Sequence, residues 1–141
     1  MQRVRRRASS LEFRLHAEPW WVVGDSAALE RAVTNLLDNA AKWSPPLGVV
    51  TVRLVDGSLM VADQGHGIAD SDLPHVFDRF YRSPESRTMP GSGLGLSIVR
   101  QVAERHGGQV RVGRSDHGGA AFWLEVPGSV TATSQGTLSG A

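Results

Sequence analysis

The stretch Asn35-Leu-Leu-Asp-Asn-Ala-Ala-Lys42 decides how this chain is read. On a helical wheel at about 100° per residue with Asn35 at the origin, Asn39 falls at about 40° and Lys42 at about 340°, whereas Leu29, Val33, Leu36, Leu37 and Ala40 fall between about 100° and 200°. One face is therefore apolar and the opposite face carries two carboxamides and a cation. Asparagine is a mediocre helix former, so two of them one turn apart cost stability unless their side chains have a task. Carboxamide oxygens are hard ligands that suit a magnesium ion shared with phosphates. Lys42 is the one lysine in a chain with 15 lysines and arginines, and a compact ammonium suits a point contact to a phosphate.

Two glycine-rich segments follow. Asp63-Gln-Gly-His-Gly67 places a carboxylate at the end of an apolar run and then two glycines. Such a carboxylate accepts from an exocyclic amine such as adenine N6 and rejects a guanine carbonyl, because two acceptors would face each other unpaired. Gly91-Ser-Gly-Leu-Gly-Leu96 leads into a second helix, whose first backbone N–H groups form an anion site. It is not a dinucleotide fingerprint, since Leu96 stands where the last glycine is required and a loop precedes it. It is not a Walker loop either, since no Gly-Lys-Ser/Thr follows.

Working outward, the residue pattern predicts strands at 11–16 and 20–23, parted by Ala17-Glu-Pro19. A helix capped by Asp25 or Ser26 runs to about Lys42 and stops before Pro45-Pro46. Strands at 49–55 and 58–63 are joined by Asp56-Gly57, a strong hairpin signal. A short helix is expected over 69–80, and 82–92 has the composition of a mobile loop. The second long helix, about 93–106, ends at Gly107-Gly108, and two last strands, 109–114 and 120–126, are linked through Asp116-His-Gly-Gly119. The fold class this implies is α+β: a two-layer α/β sandwich whose mixed, mostly antiparallel sheet is covered by helices on one face. The chain divides into a basic arm (1–10), one domain (11–127) and a Ser/Thr/Gly tail (128–141) that reads as disordered.

With 141 residues and 40% apolar content, one core is the expectation. The absence of cysteine excludes a disulfide framework and thiolate-metal sites and fits a reducing, cytoplasmic setting. No apolar run approaches the roughly 20 residues of a membrane-spanning helix. The net charge is +1, with Arg3, Arg5, Arg6 and Arg7 gathered at the N-terminus. That arm reads as a solvated segment or the end of an upstream helix, in preference to a nucleic-acid or lipid contact.

Taken together, the three motifs resemble the catalytic ATP-binding domain of sensor histidine kinases, in the wider group that holds gyrase, Hsp90-type chaperones and MutL. The resemblance spans roughly residues 11–127 and implies the Bergerat-type ATP-binding fold, with ATP and Mg2+ as cofactors. It implies that Asn39 ligates the metal, that Asn35 supports metal and phosphates, and that Lys42 touches the terminal phosphate. Asp63 would accept from adenine N6, with Gly65, Gly67 and Ile68 lining the base pocket. Phe77-Asp-Arg-Phe-Tyr-Arg82 matches the family's F box, in which Phe77 and Phe80 pack the base of a lid and Arg82 reaches the phosphates. Gly91, Gly93, Leu94, Gly95 and Leu96 would form the phosphate loop. Arg79 and Arg87 are lid cations or solvated arginines, and Trp43 either lies over the base or belongs to the core.

One departure separates subfamilies. The hydrolysing relatives carry a glutamate one turn before the metal-binding asparagine, and this chain has Asn35 there. A carboxamide does not take a proton from water near neutral pH, so slow hydrolysis and phosphoryl transfer are expected. None of His16, His66, His75, His106 and His117 lies in a His-Glu/Asp-x-x-x-Pro context. The resemblance therefore implies that a phosphoacceptor histidine comes from a separate domain of the same or a sister chain. It further implies a response regulator served indirectly, a membrane-anchored parent, a monomeric fragment and no nucleic-acid partner. The competing readings are an anti-sigma-type serine kinase or binding module and a gyrase- or Hsp90-type ATPase.

Overall fold

A computed structural model describes residues 11–78, 95–115 and 118–130. Five strands form one sheet: β1 (Glu12–Ala17), β2 (Val49–Val55), β3 (Ser58–Ala62), β4 (Gln109–Arg114) and β5 (Ala120–Glu125). Two long helices accompany it, α1 (Ser26–Trp43) and α2 (Gly95–Arg105). The sheet order is β1-β2-β3-β5-β4, parallel between β1 and β2 and antiparallel elsewhere. The mixed, mostly antiparallel sheet is as expected, and its one parallel pair arises because α1 forms the crossover between β1 and β2.

Strand alternation gives the sheet two different faces. Val50, Val52, Leu59, Val61, Phe122 and Leu124 point toward the helices and are buried with Ala32, Leu36, Leu37 and Ala40 of α1 and Val99, Val102 and Ala103 of α2. The opposite face carries Arg53, Met60, Trp123 and Arg111 in one cross-strand row. There the Arg111 guanidinium lies 4.8 Å from the Trp123 ring centroid.

Each boundary has a local cause. Asp25 caps α1 by accepting from Ala28 N at 3.1 Å. The Asp56-Gly57 turn has φ of 51° and 79°, the two positive values that a twist-matched two-residue hairpin requires. At the end of α2, Gly107 has φ of 77° and donates to Glu104 O, while Gly108 N donates to Ala103 O at 2.8 Å. This pair of bonds is a Schellman cap and turns the chain directly into β4.

Two expected elements are different. Residues 20–23 do not form a strand: Trp21 makes an isolated bridge with Ser129, and Trp20 turns its indole to donate to Val126 O at 3.0 Å. Anchoring by the indole replaces strand pairing there, and it also draws in Ser129, which composition had grouped with the tail. Over 69–78, the described part of the helix expected at 69–80, there is only a 3-10 turn, Leu73–His75. Pro74 removes a donor and disfavours helical geometry at Leu73, so single turns such as Asp72 N to Ala69 O and Asp78 N to His75 O follow one another. The arm 1–10, the loop 82–92 with the first two residues of the expected second helix, and the tail beyond Val130 lie outside the described residues.

Glu125 ties β5 to its neighbours. Its carboxylate accepts from Arg111 Nη2 at 2.9 Å, from Gln109 Nε2 at 2.9 Å and from Ser58 Oγ at 3.0 Å. The Arg111 hydrogen bond and then the Gln109 amide lower its pKa from 4.5 to about 2, against the opposing effect of burial. Because the folded carboxyl titrates below the unfolded one, the unfolded chain takes up the proton first on acidification. The clamp therefore contributes stability fully above pH 4.5 and loses it as pH falls toward about 2. Denaturation midpoints measured across that range are expected to fall less steeply in Glu125→Gln than in the parent. Parallel slopes would show that the clamp contributes nothing.

Candidate functional site

The C-terminal half of α1, the turn after β3 and the start of α2 converge at one end of the helix layer. Asn35, Asn39 and Lys42 are half-buried on α1, opposite the Leu36, Leu37 and Ala40 face that enters the core. Asn35 Nδ2 donates to the carbonyl of Gly95 at 3.2 Å, so the first residue of α2 is bound to the polar face of α1. Among the described residues, a Cβ at Gly95 would meet nothing within 4 Å.

Asp63 is 2% exposed at the end of β3. Its Oδ1 accepts from Gly65 N at 2.9 Å and from Ala120 N at 3.1 Å. Its Oδ2 is buried and has no hydrogen-bond partner among the described residues. Burial pushes the carboxyl above its ordinary value of 3.8, partly offset by the Gly65 and Ala120 N–H groups and by the nearby His66. A buried carboxylate oxygen without a partner is costly in the free protein, and a ligand N–H removes that cost. Among the described residues no cluster of three or more His, Asp or Glu is able to hold a metal ion. The carboxamide of Asn39 remains the hard donor that suits magnesium in company with phosphate oxygens.

The glycines of the motif are explained by the protein's own packing. A Cβ on Gly65 would stand 2.5 Å from Trp43 O, and one on Gly67, where φ is 80°, would stand 2.7 Å from Gly118 O. Gly65 thus admits the last turn of α1, and Gly67 admits the loop between β4 and β5. Trp43 is absent from the core cluster. Its ring meets His66 edge-on at 5.2 Å, and Lys42 Nζ lies 5.5 Å from its centroid. Ile68 and Leu96 are half-buried and pack against the core, and Phe77 stands edge-on to Phe122 at 5.9 Å.

Contacts join Asn35 to Gly95, Lys42 to Trp43, Trp43 to Gly65 and Gly65 to Asp63; Asn39 shares the polar face of α1, Gly67 lies against Gly118, and Ile68 and Leu96 pack against the core. Arg79, Phe80, Arg82, Arg87, Gly91, Gly93 and Leu94 lie outside the described residues. Sequence reasoning missed the backbone N–H of Ala120 as the second donor to Asp63, since a main-chain group leaves no mark in residue types. A cavity of about 360 Å³ lined by Trp20, Asp56, Gly57, Gly108 and Glu125 lies at the opposite end of β3. It does not include Asp63, and its open mouth carries no convergent chemistry.

Residues 24–130 match the family model described as histidine kinase-, DNA gyrase B- and HSP90-like ATPase. The chain is 52% identical over 137 residues to the signal transduction histidine-protein kinase/phosphatase MprB of Mycobacterium sp. (strain KMS), covering 91% of this chain and 27% of that protein. The same protein of Mycolicibacterium smegmatis is also 52% identical and is covered to 28%. The chain thus spans about a quarter of the length of these curated relatives. A solved mycobacterial sensor histidine kinase MprB structure superposes with a TM-score of 0.84 at 51% identity, covering 90% of each chain. Full-length ShkA, solved in complex with AMPPNP, superposes with a TM-score of 0.75 at 29% identity over 92% of this chain and 28% of that one.

Proposed function

Because this chain belongs to the histidine kinase-, DNA gyrase B- and HSP90-like ATPase family, as a catalytic ATP-binding domain of the histidine kinase type, we propose that it holds Mg-ATP and delivers the γ-phosphoryl group to a histidine on a separate phosphoacceptor domain. The observation that carries this reading is the buried Oδ2 of Asp63, which has no hydrogen-bond partner among the described residues, at the end of β3. An exocyclic amine is the complement it lacks, and ShkA carries an adenine nucleotide analogue in its solved complex.

In this reading Asp63 selects the base, Asn39 holds magnesium, and Lys42 neutralises phosphate charge near the start of α2. Magnesium, when bound, withdraws charge from the phosphate oxygens. The acceptor imidazole nitrogen forms a bond to the γ-phosphorus as the bond to the β–γ bridging oxygen breaks, and ADP departs with that electron pair. What the chain contributes is position and charge neutralisation. Asn35 disfavours hydrolysis twice over: its side chain is not a base, and its amide is engaged by Gly95 O. Arg82, Arg87 and the 91–94 glycine segment complete the phosphate contacts. The parent protein would carry the acceptor histidine, pass its phosphoryl group to a response regulator, and be anchored in a membrane. No helix among the described residues is long and apolar enough to cross one.

The test is a calorimetric titration with ATP and magnesium, followed by addition of a separately produced phosphoacceptor domain and γ-labelled ATP. A saturating heat that returns to baseline, then label on a histidine of the acceptor, is the expected outcome. Steady heat without acceptor would replace the transfer reading with an ATPase, and label on a serine would replace it with a serine kinase.

A further inference from the structure

We propose that the connection between β4 and β5, acting through Ser115 and Gly119, is a specificity-determining support that orients the base-reading carboxylate of Asp63. The inference rests on the assignment of Asp63 to the adenine amine. It goes beyond that assignment by placing discrimination in residues outside all three nucleotide motifs.

Four contacts join Asp63 to this connection and to Ala120, the first residue of β5. Asp63 N donates to Ala120 O at 2.9 Å, and Ala120 N donates to Asp63 Oδ1 at 3.1 Å. Ser115 Oγ donates to Asp63 O at 2.8 Å, across 52 positions of sequence. A Cβ on Gly119 would stand 2.2 Å from Asp63 O and 2.6 Å from Asp63 Oδ1, so at this point the two backbones are in direct contact. The connection is closed on itself by Ser115 N to Gly119 O at 2.8 Å and Gly118 N to Ser115 O at 3.1 Å. By contrast, the motif's own turn contributes a single hydrogen bond to the carboxylate, from Gly65 N.

The consequence is angular. A carboxylate held on one oxygen by two N–H groups pivots about that oxygen, and the residue's backbone sets the plane in which the other oxygen points. Hydrogen bonds weaken steeply once the donor angle falls below about 120°. Ser115 and Gly119 hold the Asp63 carbonyl and therefore set the direction in which Oδ2 meets an incoming N–H. Ser115 touches no nucleotide in this account. It is a positioning residue.

The experiment compares ATP with purine riboside triphosphate, which lacks the amino group, in the parent chain, Ser115→Ala, Ser115→Thr and Gly119→Ala, by calorimetry. Ser115→Ala is expected to weaken ATP by about fivefold to tenfold, the scale of one ordinary hydrogen bond, while purine riboside triphosphate is unchanged. Ser115→Thr restores the hydroxyl and the preference. Gly119→Ala is expected to erase the preference, with thermal melts confirming a folded chain; if it does not fold, the two serine variants carry the test. Equal weakening of both nucleotides in Ser115→Ala, or a preference identical to that of the parent, would overturn this inference alone. A parent chain that binds both nucleotides equally would overturn the assignment of Asp63 as well.

Discussion

Asp63→Asn is expected to lower ATP affinity by about a hundredfold and to shift base preference toward a carbonyl-bearing purine. The direction follows from the two donors already in place. Gly65 N and Ala120 N both point at Oδ1, so the asparagine must put its carbonyl oxygen there. Its NH2 group then occupies the position of Oδ2, where the aspartate presents an unpartnered acceptor. A donor would meet the adenine amine, and neither group could be satisfied. Each buried, unsatisfied polar group costs about 1 to 3 kcal/mol, and about 2.7 kcal/mol is a factor of a hundred. The substitution also removes the burden that burial places on the ionised carboxylate, so the free protein is not expected to lose stability. Titration with ATP and with inosine triphosphate checks both halves of this expectation. Undiminished ATP binding would mean that Oδ2 meets no amine.

Asn39→Ala is expected to abolish metal-dependent phosphoryl transfer while leaving the fold unchanged. Asn39 is half-buried on the polar side of α1 and makes no contribution to the core formed by Ala32, Leu36, Leu37 and Ala40. Alanine is the better helix former, by a few tenths of a kcal/mol, so α1 itself should be slightly steadier. What disappears is a hard oxygen ligand, and with it the charge neutralisation that phosphoryl transfer depends on, on the order of a thousandfold or more in rate. The measurement is labelled transfer to the phosphoacceptor domain at saturating ATP, with circular dichroism to verify the helix. Retained transfer would remove Asn39 from the metal site.

Much of this arrangement was legible in the residues. The strands at 49–55 and 109–114 were read with the bounds that the structure has, because apolar runs there end at strong turn signals. Helix α1 was legible from its two-sided wheel, which puts Asn35, Asn39 and Lys42 opposite the buried Leu36, Leu37 and Ala40. Other features were not legible, for identifiable reasons. Trp20 is a strong strand former by type, yet its indole finds Val126 O, and a single long-range hydrogen bond overrode local preference. Pro74 lies inside the helix expected over 69–80, and its missing N–H leaves only single turns in the described part of that segment. The glycines at 65 and 67 also leave room for Trp43 O and Gly118 O, a tertiary fact that no local pattern records.

The order of strands in the sheet also sets an order in time. The β2–β3 pair is closed by a two-residue turn and is of the kind that forms in microseconds, whereas β3 meets β5 only after the intervening chain, with α2 and β4 in it, has been gathered. Asp63 belongs to the early hairpin, but Ala120, 57 residues further on, belongs to the late partner. During synthesis the carboxylate thus emerges well before the strand that aims it. A growing chain that has not yet released β5 holds every asparagine and aspartate of the site and still lacks the geometry to choose a base. On the proposed reading, selectivity is complete only once β5 has paired with β3.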